Sequence, residues 1–386
     1  MRKDKNKIIR ITTDPIALKV LLKDQLKFMG RYYEVVAVAS EGQNLSDVQN
    51  DEGVRCISVN MTRRISPLKD FFSLVKMILL INKERPDIVH THTPKAGIIG
   101  MLASLICKVP HRLHTVAGLP LMQASGFKRK LLLFVEELTY ACATKVYPNS
   151  FRLKEYLVQN IRVSEAKLKV IGFGSSNGID AGFFDYTDEV KISAVGLKKM
   201  HQLDHCFVFV FVGRIVKDKG IDELLKAFQE VNLEFTDTRL LIVGYEESLL
   251  DPISDCSKNI LKKNSNVISV GFQSDVRPFL AASNCFVFPS YREGFPNAVL
   301  QACSMGIPCI VTDINGCNEI IQSEYNGLLV DAKDVNTLRR AMKRFLVDTA
   351  LSKKLSRSAR ASVIEKYDRH KFHELLLSEY NEMLDS

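Results

Sequence analysis

Cys206-Phe207-Val208-Phe209-Val210-Phe211-Val212-Gly213-Arg214-Ile215-Val216-Lys217-Asp218-Lys219-Gly220 is the stretch that decides the fold. Its first seven residues are an unbroken run of apolar, mostly β-branched and aromatic side chains, as a strand buried on both faces requires. The run stops at a glycine and a polar loop, and a helical pattern follows over 221–231. Strand, turn and helix in that order open a parallel α/β unit. Downstream, strands are expected at 239–243, 267–270, 285–289 and 309–312, each followed by a helix. Upstream, the same alternation predicts strands at 8–13, 34–40, 55–60, 87–91, 112–116, 145–148 and 168–171, with helices at 16–29, 67–84, 95–107, 128–143 and 151–159.

A chain of 386 residues is longer than one core sustains, so two doubly wound domains are expected. The segment 180–204 has no strong strand, holds Gly182, Gly196 and many charges, and is read as the linker. The domains are then 1–190 and 191–365, with a terminal helix at 366–386 packing back toward the first. Doubly wound sheets bind ligands beyond the carboxyl ends of their strands, so two facing sheets would leave a cleft there.

An apolar fraction of 46% with 25% charged residues excludes a disordered chain. The nine cysteines show no C-x-x-C spacing and sit mostly in apolar runs, which fits small buried residues in a reducing compartment. The charged start, MRKDKNKIIRITTD, lacks the apolar core of a signal peptide, and the run 71–81 is broken by Lys76 and too short to span a bilayer. A cytoplasmic location is expected. Residues 1–190 carry 28 Lys and Arg against 19 Asp and Glu, hence +9, while the other 25 against 25 balance. A basic face on that half suits a phosphate-bearing substrate or an anionic membrane; no nucleic-acid motif or aromatic platform accompanies it, so nucleic acid is not expected.

Four segments carry candidate chemistry. In the loop after 206–212, Gly213 permits close backbone approach, and Arg214 and Lys219 bring two cations to a helix start. Either a diphosphate grip or a solvated basic turn accounts for that. In Pro289-Ser290-Tyr291-Arg292-Glu293-Gly294-Phe295-Pro296-Asn297, a carboxylate leaves a strand end just before a helix whose free amides face the same point. Glu293 would accept hydrogen bonds from sugar hydroxyls and the Phe295, Pro296 and Asn297 backbone would meet phosphate, which describes a nucleotide sugar. In the first half, His90, His92 and Lys95 stand at one strand end and His114 to Gly118 at another. Taken singly, His90 and His92 fit capping or packing, whereas His114 beside Gly118 and Pro120 fits a loop shaped for a ligand. Last, 172–180, with Asn177, builds a tight loop that lines a cleft or only turns the chain. No G-x-G-x-x-G follows a strand, no phosphate-binding G-x-x-x-x-G-K-[ST] loop is present, and no D-x-D triplet offers a metal bridge.

These residues resemble glycosyltransferase family 4, retaining enzymes of the GT-B fold. The resemblance spans nearly the whole chain and is carried by VGRIVKDKG, by REGFPNAVLQA at the place of an E-x7-E element, by NGID followed by FF, and by the loop from His114 to Gly118. VHTHTPKAG, HTVAGLP and CATKVYPNS look most like bacterial enzymes that build capsular or O-antigen units on a polyprenyl diphosphate carrier. The resemblance implies transfer of a hexose or N-acetylhexosamine from a nucleotide sugar, with UDP as the nucleotide, to a lipid-linked saccharide. Arg214 and Lys219 would bind the diphosphate, Glu293 would hold the transferred sugar, and His114 would lie beside it. Gln301, in place of the second glutamate, and Gly244 would meet the nucleoside, while His92, Lys95, Gly118 and Asn177 would line the acceptor side. No metal or other cofactor is implied. The second departure from the family is at 12–16, where TTDPI replaces a glycine-rich turn. A lipid carrier would give Lys128, Arg129 and Lys130, beside the apolar run 131–134, an anionic leaflet to meet; an ordinary amphipathic helix accounts for them equally. Two enzymatic and sensing alternatives stay open on the residues alone: a nucleotide-sugar 2-epimerase, and a non-catalytic nucleotide-sugar binder suggested by Gln301.

Overall fold

The β-branched and aromatic runs form twelve short strands among the described residues, which in this computed structural model are 5–62, 66–247 and 251–385. In the first unit these are β1 (Lys7–Ile11), β2 (Glu34–Ala39), β3 (Arg55–Ser58), β4 (Ile88–Thr91), β5 (His111–Val116) and β6 (Lys145–Pro148). The second unit holds β7 (Phe207–Val212), β8 (Thr238–Val243), β9 (Val267–Ser269), β10 (Cys285–Phe288), β11 (Cys309–Thr312) and β12 (Gly327–Val330). The sheet orders are β3-β2-β1-β4-β5-β6 and β12-β11-β10-β7-β8-β9, with every pairing parallel. Strand order reverses beside β1 and β4 in one sheet and beside β7 and β10 in the other. Helices diverge from those points, leaving a crevice at the carboxyl ends. Val208 to Phe211 are wholly buried, as the opening stretch requires.

The chain divides into residues 1–178 with 369–386 and residues 179–368. The linker expected at 180–204 therefore belongs to the second unit, where Asp188–Met200 is a helix. Thr187 caps it by accepting from Val190 N, Asp188 and Glu189 lie in its first turn, and Lys198 and Lys199 in its last, a charge order that complements the helix dipole. Only Val190 and Ala194 are buried on it, so its apolar face is too narrow to stand out from the charges. The helix Arg369–Leu384 is part of the first unit, with Phe372, Leu376 and Tyr380 in the core beside Leu18, Tyr33 and Ile171.

Two other expectations are corrected. Residues 168–171 form no strand: a single bridge joins Leu168 to Val146, after which Gly172 and Ser175, both at positive φ, turn the chain from the sheet edge. The helix expected over 16–29 is two, Pro15–Leu21 and Gln25–Met29, separated at Asp24, which has φ 64. The strand β12, Gly327–Val330, has no counterpart among the expected elements; it opens on a glycine, a poor strand former, directly after the polar run 322–326.

Candidate functional site

In the second unit Gly213 follows β7 and Pro289 follows β10, so the two motif loops leave the two central, adjacent strands at their carboxyl ends. Gly220 seats one loop against the other. It has φ 70, and a Cβ there would come within 2.1 Å of the Pro289 carbonyl oxygen. Asp218 then ties the loops: its carbonyl accepts from Tyr291 N at 2.8 Å and its carboxylate from Arg292 Nη2 at 2.8 Å. Gly244, after β8, is where the Gly213 carbonyl packs, since a Cβ on it would lie 1.8 Å from that oxygen.

Two further cation–carboxylate pairs result. Lys219 Nζ donates to Glu293 Oε1, and Lys219 also sits over the Phe288 ring at 5.3 Å. Glu293 Oε1 takes a second hydrogen bond, at 2.8 Å, from Ser290 Oγ, whose residue is fully buried. Asn315 Nδ2 donates to the Glu293 carbonyl and fixes the turn from below. Arg214 Nη1 donates to Glu247 Oε2 at 2.6 Å. Burial alone would lower the Arg214 pKa, and the Glu247 carboxylate outweighs it and holds the guanidinium above its ordinary range.

The helix Asn297–Ser304 begins immediately beyond. Pro296 is its N-cap residue and has no N–H, so the three backbone donors expected here reduce to Phe295 and Asn297. The Phe295 side chain is core: it is 8% exposed and packs on Tyr367 with centroids 5.2 Å apart. Asn297 and Gln301 are half-buried and, four residues apart, share the face that does not enter the core. Beside the ends of β8 and β9 a 280 Å³ cavity is lined by Gly244, Tyr245, Glu246, Lys258, Ser269 and Gly271.

In the first unit the histidines fall into two groups. His114 is 2% exposed; its Nδ1 is hydrogen-bonded to Thr91 Oγ1 at 2.7 Å, and the helix Pro94–Ile106 comes so near that a Cβ on Gly97 would lie 2.6 Å from His114 Cε1. His90 and His92 pack with tilted rings, centroids 4.2 Å apart, inside a buried polar network. His90 bonds Tyr380 and Thr115, and His92 Nε2 accepts from Arg10 Nε at 3.0 Å. Asn177 belongs to that network too, through Gln25, His373 and the Lys23 carbonyl. His92 and Asn177 are therefore packing residues here, 4% and 5% exposed, and not open acceptor contacts. Lys95 Nζ is paired with Asp70 at 2.5 Å, as Lys219 and Arg214 are with their carboxylates. Gly118 lies half-buried two residues past β5.

Sequence reasoning missed Glu247, Ser290, Asp218 and Asn315. Asp218 and Ser290 stand inside the quoted motifs; the sequence separations of Glu247 from Arg214 and Asn315 from Glu293 leave no local signal.

Burial pushes His114 down to about 4 and His373 to about 3, and puts His90 and His92 well below the ordinary histidine range. Each folded pKa lies below the unfolded 6.5, so the unfolded chain takes up protons first as the pH falls. The stability they hold above pH 6.5 is lost progressively from there toward pH 4. Replacing His114 by Gln is expected to flatten the fall of Tm across that window; an unchanged slope would contradict the burial argument.

The family model described as glycosyl transferases group 1 matches residues 198–362, and that of the glycosyl transferase 4-like domain matches residues 27–174. The capsular polysaccharide biosynthesis glycosyltransferase CapM of Staphylococcus aureus is 34% identical over 366 residues, covering 94% of each chain. The UDP-Gal:alpha-D-GlcNAc-diphosphoundecaprenol alpha-1,3-galactosyltransferase of Escherichia coli is 31% identical over 87% of this chain and 86% of its own. Among solved structures, Anabaena Alr3699/HepE in complex with UDP-glucose superposes with a TM-score of 0.81 at 17% identity, covering 97% of this chain and 99% of that one.

Proposed function

We propose that this chain, which belongs to the glycosyl transferases group 1 family and is a glycosyltransferase of GT-B fold, moves a hexose or N-acetylhexosamine from UDP to a saccharide on a polyprenyl diphosphate. The observation that carries the proposal is the pair of adjacent loops in the second unit that present Arg214, Lys219 and Glu293 with the helix start at Asn297. Arg214 and Lys219 neutralise the donor diphosphate, helped by the Phe295 and Asn297 amides. Glu293 accepts from hydroxyls of the sugar being moved. Gln301 meets the ribose as a neutral hydrogen-bonding group. The 280 Å³ cavity beside Gly244 takes the base.

The reaction retains configuration. The bond from the anomeric carbon to the diphosphate oxygen breaks, the acceptor hydroxyl oxygen bonds to that carbon from the same face, and the departing phosphate oxygen takes the hydroxyl proton. No metal enters the proposal, because two fixed cations meet the developing charge on the leaving group. His114, neutral at physiological pH and with Nδ1 engaged by Thr91, contributes through Nε2 a hydrogen bond near the sugar, not a charge. The relatives' lipid-linked substrates and capsule products support the choice of acceptor. Lys128, Arg129 and Lys130 then face the anionic leaflet in which such a carrier is dissolved.

Calorimetry and thermal shift with UDP-, GDP-, ADP- and dTDP-sugars, in the presence of a chelator, test the donor half. Selective binding of the UDP-sugars is expected, weakened about 10²-fold in Arg214→Ala by loss of a charge-assisted bond to phosphate. Equal binding of all four donors, or wild-type affinity in the variant, removes the assignment.

A further inference from the structure

The helix Pro67–Glu84 buries Ser73, Met77, Ile81 and Glu84 and leaves the opposite side uncovered. On that side Leu68 is 78% exposed, Phe71 60%, Phe72 63%, Val75 38% and Leu79 64%. At 100° per residue, Leu68, Phe72, Val75 and Leu79 form a single narrow stripe. Lys69, Lys76 and Lys83, seven residues apart, run in file along one flank of it. The helix's acids are turned away: Asp70 pairs with Lys95, and Glu84 is buried against Lys7 and Arg55. The outward face is thus apolar and cationic, and both carboxylates among the described residues of the helix lie off it.

Its position follows from the topology. The helices Pro67–Glu84, Pro94–Ile106 and Gly126–Cys142 make the successive crossovers β3 to β4, β4 to β5 and β5 to β6, so right-handed connections put all three on one face of the first sheet. Each begins at the edge where the strands end. At helix packing distances the outer two lie about 20 Å apart. The start of the third carries Phe127, 81% exposed, followed by Lys128, Arg129 and Lys130.

We infer that the stripe from Leu68 to Leu79 is a second membrane contact, inserting into the acyl boundary of an anionic leaflet while the lysine file meets its headgroups. Two considerations select lipid over protein. Interface cores between proteins are depleted in lysine, and an antiparallel two-fold contact between copies of this helix would bring the lysine files together. Anionic bilayers attract such a face and accept its apolar stripe. No helix among the described residues is long and apolar enough to cross a membrane, so the contact is one of lying on the surface. The inference rests on the lipid-linked acceptor only for its choice of a membrane as partner; the stripe itself is independent of it.

The chain contains no tryptophan, which gives a clean reporter. Full-length Phe72→Trp is mixed with vesicles of equal phosphatidylglycerol and phosphatidylcholine, with Leu233→Trp in the second unit as control, that leucine being 79% exposed. Emission from the indole introduced on the stripe is expected to shift blue and to be quenched by brominated acyl chains, and the control to stay unchanged. Leu68→Ser, Phe72→Ser and Leu79→Ser together should weaken vesicle partition by about tenfold or more, at low and high salt alike. Transfer to a water-soluble diphosphate saccharide, assayed in parallel, should be as in the wild type, so that failure of the transferase reading is seen separately. Absence of a blue shift on vesicles that sediment the chain, wild-type partition of the triple variant, or a dimer in sedimentation velocity that the triple variant dissociates would each overturn the inference.

Discussion

Glu293→Gln is expected to lower kcat/KM by on the order of 10²–10⁴-fold while UDP binds as in the wild type or more tightly. The side chain accepts two hydrogen bonds, from Lys219 and from Ser290. In the proposed complex it receives the sugar's hydroxyls, and each charge-assisted hydrogen bond of this kind contributes about 1.5–3 kcal/mol. Glutamine keeps the shape and one acceptor but brings a donor to a position facing donors. Lys219, released from its carboxylate, is freer to meet phosphate, which is why affinity for the nucleotide diphosphate does not fall. Steady-state release of UDP and calorimetry with UDP measure the two effects separately. A variant within threefold of wild type in kcat/KM would remove Glu293 from the reaction.

Gly220→Ala is expected to cost about 2–5 kcal/mol of stability in the second unit and to abolish donor binding. A non-glycine residue at its φ of 70 pays roughly 1–2 kcal/mol for the left-handed conformation. The added methyl, 2.1 Å from the Pro289 carbonyl oxygen, meets backbone that cannot swing aside, at a further 1–3 kcal/mol or roughly that. For a unit of this size the fall in Tm is about 5–20 °C. Relief of the clash pushes the loop after β10 from the loop after β7 and so parts Lys219 from Glu293. Differential scanning calorimetry with and without UDP follows both effects; a Tm within 2 °C or so of wild type, with donor affinity kept, would contradict the seating role given to Gly220.

What the sequence disclosed, it disclosed through period and placement. Buried parallel strands are nearly all apolar, so 206–212 and 285–289 were legible, and with them the loops that hold Arg214, Lys219 and Glu293. The helix at Asp188–Met200 was not, because its charged ends, which suit a dipole, look like a polar linker when the narrow apolar face goes unnoticed. Asn177 and His92 illustrate another limit. A polar residue beside a strand end reads the same whether it faces a ligand or a buried partner, and here the partners, Arg10, Gln25 and His373, are distant in sequence. The same holds for Lys95, whose partner Asp70 lies on a different helix. Backbone chemistry was legible in principle: proline at 296 can donate nothing, which narrows the helix-start donors without any structure.

The second unit is one uninterrupted segment, 179–368, set into the first between Gly178 and Arg369. Its two ends meet, since Ile179 and Asp368 form a parallel bridge and Ile179 N donates to the Tyr367 carbonyl at 2.8 Å. In genetic terms this half is a cassette: a single cut-and-paste event with neighbouring junctions exchanges the whole second unit, where the proposed function puts the sugar donor, and leaves the first unit, terminal helix included, intact. A graft of 179–368 from a relative with another sugar donor is therefore the shortest route to a chimaera of altered donor choice, whereas a single crossover near the middle of the chain would separate the helix Arg369–Leu384 from Tyr33 and His90, against which it folds.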